Sequence, residues 1–78
     1  MGAKFRNFRR ETLDMRWDDG SKEGVYSGDL LGLGRTSTVS DDGHTFFFML
    51  RGEEVARFRM NSDENVYIIE PLPDDHEV

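Results

Sequence analysis

A chain of 78 residues with a net charge of −6, no cysteine and 19 residues of Leu, Ile, Val or Phe can build one small hydrophobic core and no more. The lack of cysteine excludes disulfide and thiolate-zinc staples, so packing and hydrogen bonding must hold the fold. No run of eighteen apolar residues and no basic leader ahead of an apolar stretch occurs, and we expect a soluble, cytoplasmic protein with no membrane partner.

The charge is unevenly placed. Residues 1–10 hold Lys4, Arg6, Arg9 and Arg10 without an acid, giving +4, while residues 11–78 hold six bases and sixteen acids, giving −10. This asymmetry predicts a basic N-terminal arm over 1–10, a single β domain over 11–73 and a solvated acidic tail over 74–78. Phe5 and Phe8 make too narrow an apolar stripe for a helix in the arm. Beyond it, turn-forming clusters at Asp18-Asp19-Gly20, Asp41-Asp42-Gly43, Arg51-Gly52-Glu53 and Asn61 to Asn65 separate short β-prone runs.

Strands are expected over 11–17, 24–31, 35–40, 44–51, 54–60 and 66–70. In the first, Leu13, Met15 and Trp17 alternate with Thr12, Asp14 and Arg16, the pattern of a half-buried antiparallel strand. The second and its exit are interrupted by Gly24, Gly28, Gly32 and Gly34, which signal bulges or sharp bends. The third, Arg35 to Ser40, is polar and suits a sheet edge, and Pro71 and Pro73 end the last. The fold class expected is all-β: a small antiparallel meander of five or six strands curled into a small, SH3-like barrel or a two-layer sandwich.

Three consecutive aromatics, Phe46, Phe47 and Phe48, cannot all face one core, because successive strand residues point to opposite faces. A two-residue turn at Gly52-Glu53 pairs Phe47 with Phe58 and Phe48 with Arg57. Phe47, Met49, Ala56, Phe58, Met60, Val66 and Ile68 then form the core face. Phe46, Phe48, Leu50, Val55, Arg57, Arg59, Tyr67 and Ile69 form a second face. A three-residue loop instead moves Phe46 and Phe48 beside Phe58 and leaves Phe47 with the arginines. In the first register Phe47→Ala unfolds the domain, whereas Phe48→Asp leaves it folded and weakens association.

Motifs for chemistry are absent. The run GLGRTS has Ser37 where a dinucleotide fingerprint needs glycine, and Asp29 and Arg35 where a phosphate loop needs glycine and lysine. His44 and His76 have no companions at metal-ligand spacing, the DDG turns lack the spacing of a calcium loop, and no serine sits on a strained elbow. The expectation is no enzyme, no cofactor and no metal.

The functional expectation is a small non-enzymatic protein-interaction module. Its contact face is Phe46, Phe48, Arg57, Arg59 and Tyr67, and its partner is another protein or a second copy in a homodimer. One alternative is an acidic inhibitor or nucleic-acid mimic that blocks a basic nucleic-acid-binding protein through Asp18, Asp19, Asp41, Asp42, Asp63 and Glu64. A second is single-stranded nucleic-acid binding by the aromatic and arginine face, which the net charge disfavours.

Overall fold

The computed structural model describes residues 2–71. Seven strands follow one another: β1 (Gly2–Asn7), β2 (Leu13–Trp17), β3 (Val25–Leu30), β4 (Arg35–Val39), β5 (Thr45–Leu50), β6 (Glu53–Arg59) and β7 (Val66–Ile69). They form a three-stranded sheet ordered β4-β1-β7 and a four-stranded sheet ordered β3-β2-β5-β6. No ladder joins the two, so the domain is a two-layer β structure and not a closed barrel. Among the described residues there is no helix, hence none long and apolar enough to cross a membrane. The tail expected at 74–78, with His76, lies outside the described residues.

All six expected strands are present, each within two residues of its expected ends. The seventh is a correction. The segment read as a loose basic arm is the central strand of the smaller sheet, antiparallel to β4 and parallel to β7. Its side chains alternate: Ala3, Phe5 and Asn7 are buried, while Lys4 and Arg6 face solvent. Alternation keeps the charge off the core, so a cluster of cations is compatible with a central strand. This insertion also breaks the meander. Only β2 with β3 and β5 with β6 are neighbours both along the chain and within a sheet.

The core lies between the sheets, and Phe5 is its hub. Its ring meets Phe48 edge-on at 5.1 Å, Phe46 at 5.6 Å and Tyr67 at 5.6 Å, within the usual range for interacting aromatics. Ala3, Leu13, Met15, Leu30, Met60 and Ile69 complete the cluster. The Tyr67 hydroxyl donates to the Glu64 carbonyl at 3.0 Å and accepts from the Asn61 amide at 3.2 Å, which satisfies the one polar atom that this ring brings inside. Asn7 is a second buried polar anchor. Its Nδ2 donates to the carbonyls of Glu11, Leu30 and Leu31, and its Oδ1 accepts from the Arg9 amide, tying the β1–β2 loop to the β3–β4 loop.

The β5–β6 hairpin takes the second of the two registers, with Phe46 beside Phe58 and Phe47 with Arg57, and not the first. Its turn is Arg51-Gly52, both with positive φ (51° and 83°), the conformation of a two-residue I′ turn. Leu50 pairs with Glu53 and Met49 with Glu54, then Val55 bulges out, so that Phe48 pairs with Ala56, Phe47 with Arg57 and Phe46 with Phe58. One residue of shift exchanges the faces. Phe46 and Phe48 point into the core, Phe47 points away, and on β7 Tyr67 and Ile69 are inside while Val66 and Ile68 are outside. The expected bulge in the glycine-rich strand is also present, where Ser27 beside Gly28 (φ 124°) is the extra residue opposite Met15 and Arg16.

Candidate interaction surface

The five residues expected to share one contact face are divided by the fold. Phe46, Phe48 and Tyr67 are interior, with at most 6% of their surface exposed, whereas Arg57 and Arg59 lie on the outer face of the four-stranded sheet. The aromatic face assigned to them therefore does not form. Instead, Arg57 lies over the outward ring of Phe47, 4.7 Å from its centroid, held by Glu54 at 2.7 Å and Asp18 at 3.1 Å. The Arg57 guanidinium hydrogen-bonds Glu54 and holds its carboxyl below the ordinary glutamate range. Gly24, at φ 68°, rests on the far edge of the same ring, so the β2–β3 loop completes the cover. Phe47 is only 3% exposed although it points away from the core.

The alternation of strand direction brings the six expected acidic residues to one end of the molecule. Every connection that follows an even-numbered strand turns at that end: Asp18 and Asp19 after β2, Asp41 and Asp42 after β4, Asp63 and Glu64 after β6. Backbone bonds link the turns, from the Asp18 amide to the Thr45 carbonyl and from the Gly43 amide to the Met60 carbonyl. Asx-type bonds shape them: Asp18 accepts from the Gly20 amide, Asp19 from the Ser21 amide and Asn61 from the Asp63 amide. The bonds from Ser21 lower the Asp19 pKa. Among the described residues no three carboxylate or histidine groups converge in a way that could hold a metal ion.

The outer face of the β4-β1-β7 sheet is different in kind. Lys4 stands between Ser37 on β4 and Val66 on β7, and Arg6 stands between Arg35 and Ile68. Gly2 lies opposite Val39, and Phe8 continues the line of β1 with the Arg6 guanidinium 5.0 Å from its ring centroid. Val66 is 44% exposed, Ile68 49% and Val39 84%. Shallow depressions run along β1, lined by Lys4, Arg6, Arg35 and Ser37 in one part and by Gly2, Val39 and Asn65 in the next. Among the described residues, Lys4, Arg6 and Arg35 make no ion pair, in contrast to Arg9, Arg16 and Arg57.

This face is not legible in the sequence, where Lys4 and Arg6 fall in the expected arm, Arg35 in a polar edge, and Val66 and Ile68 on the expected core face. The alternation of small or aromatic residues with cations over Gly2–Asn7 was the available signal. The pairing of β1 with β4 and β7, far away in the chain, had none. Comparison with protein-family models, curated proteins and solved structures finds no match to this chain.

Proposed function

We propose that this is a non-enzymatic, cytoplasmic protein-interaction module whose contact surface is the outer face of the β4-β1-β7 sheet. The observation that carries the reading is the company of Lys4, Arg6 and Arg35, unpaired among the described residues, with half-exposed Val66 and Ile68. Arginine is enriched in protein interfaces relative to the rest of the surface, and the adjacent Val66 and Ile68 supply an apolar centre for such a contact. Face-to-face association of two copies would oppose cations with cations, so this face does not pair with itself. The test is affinity capture by the immobilised full chain, with captured proteins identified by mass spectrometry. Ile68→Asp should abolish capture of the specific partner with a melting temperature within about 4 °C of wild type, and Asp41→Asn with Asp42→Asn should not. Equal capture by wild type and Ile68→Asp would refute the reading.

A second reading rests on the gathering of the three acidic turns at one end: an acidic inhibitor that docks on a basic groove through Asp18, Asp19, Asp41, Asp42, Asp63 and Glu64. Salt separates the two. Binding through the acidic end falls steeply as ionic strength rises and is lost in the Asp41→Asn, Asp42→Asn variant, whereas an interface with an aliphatic centre persists. Single-stranded nucleic-acid binding has less support, since the rings it required are inside the sandwich.

A further inference from the structure

Building on the proposed interaction module, we infer the chemistry of its partner: the outer face of the β4-β1-β7 sheet binds an acidic protein segment, its carboxylates seated on Lys4, Arg6 and Arg35 and its aliphatic side chains on Val66 and Ile68.

The inference begins with a like-charge contact. Arg6 and Arg35 are direct cross-strand partners, which puts their β-carbons about 4.5–5.5 Å apart on the same face, and like charges so placed repel. Among the described residues no carboxylate comes within ion-pair distance of them, and Lys4 adds a third cation two residues along β1. An anion between the two guanidiniums removes this repulsion. Arg6 is also pre-positioned, since its head group rests on the Phe8 ring.

Geometry and composition select the class of anion. Lys4 and Arg6 are two residues apart on one strand, so their side chains repeat at roughly 6.6–6.8 Å. That is the repeat of alternate carboxylates on an extended segment lying along the depression. Nucleic acid fits less well. It asks for several exposed rings on which successive bases stack, whereas Phe5 and Tyr67 of this sheet are buried inward, and Phe8, 41% exposed, is a single ring that already carries Arg6 on its face. A protein segment places a few carboxylates locally and covers Val66 and Ile68 with its own aliphatic groups.

The experiment titrates the isotope-labelled full chain with two probes, a twenty-residue polyglutamate and a twenty-nucleotide oligothymidylate, and follows backbone amide shifts. The expected result is that polyglutamate moves the amides of Lys4, Arg6, Arg35 and Ser37. Its affinity should drop about tenfold or more between low and physiological salt. The Arg6→Gln, Arg35→Gln double variant should lose about tenfold or more in affinity while its amide spectrum keeps the folded pattern. Tighter binding of oligothymidylate to the same residues would overturn the inference in favour of nucleic acid. Failure of polyglutamate to move these amides, or equal binding by the double variant, would also overturn it. If polyglutamate fails while Ile68→Asp still abolishes partner capture, the acidic class is wrong and the module reading stands. If Ile68→Asp leaves capture intact, the module reading itself fails at this face.

Discussion

The two sheets turn opposite kinds of outer face to solvent. On the four-stranded sheet, the large apolar side chain in the middle of β5, Phe47, is covered by its own chain: Arg57 lies across it, Glu54 and Asp18 fix Arg57, and Gly24 closes the edge. On the three-stranded sheet, Val66 and Ile68 stay open beside cations without counter-charges among the described residues. At the centre of the first face, hydrophobic cover and charge neutralisation are supplied by the same arginine. The second lacks both. The contrast teaches that aromatic content alone does not mark a contact surface. What matters is whether the chain supplies a cover, and here the less aromatic sheet is left open.

The contrast makes graded predictions. The largest effect belongs to the interior: Phe48→Ala should cost about 3–5 kcal/mol in chemical denaturation, because Phe48 is fully buried against Phe5. Phe48→Asp should prevent folding, the reverse of what the unshifted register implies. Phe47→Ala should cost about half as much as Phe48→Ala, since the β2–β3 loop and Arg57 can settle into part of the space. A loss at Phe47 equal to that at Phe48 would show that the cover is as rigid as the core.

Gly24→Ala attacks the cover from the other side. A β-carbon at this position would stand 2.6 Å from the Phe47 ring and 2.7 Å from the Trp17 carbonyl, at a φ of 68° that alanine rarely adopts. A destabilisation of about 1–3 kcal/mol is expected in thermal or urea melts. Unchanged stability would mean that the loop does not hold Phe47 in place.

Acid should loosen the same cover slightly. Glu54 has its pKa lowered in the fold, chiefly by hydrogen bonding to Arg57. Its contribution is therefore present above the unfolded glutamate pKa and is lost as pH falls through the lower folded value. Because the pair is largely exposed, the amount is only about 0.5 kcal/mol. Melts of wild type and Glu54→Gln should converge as pH is lowered past the carboxylate range. The smallest effect is on the open face, where Ile68→Asp should change stability by no more than about 0.5 kcal/mol. A large loss there would mean that Ile68 is covered within the chain and the contrast between the faces is false.

Part of this was readable without tertiary information. The six expected strands were legible because runs such as Leu13 to Trp17 alternate and are bounded by Asp-Gly and Asn-Ser-Asp turns whose backbone needs are local, as the positive φ of Gly20 and Gly43 bears out. The acidic residues were identifiable one by one; their assembly at one end follows once each strand reverses the direction of the one before it. The face of each Phe in Phe46-Phe47-Phe48 was not decided locally. It depends on a single residue of register, set by the I′ turn at Arg51-Gly52 and the bulge at Val55. The open face depends on contacts still more distant. Only the insertion of β1 between β4 and β7 turns Phe5 into the aromatic cluster and lines up Lys4 and Arg6 with Arg35, Val66 and Ile68. Local propensity determines that a strand forms and where it turns; which strands lie beside it, and so what its outer side chains meet, is settled by the burial of both sheets against each other.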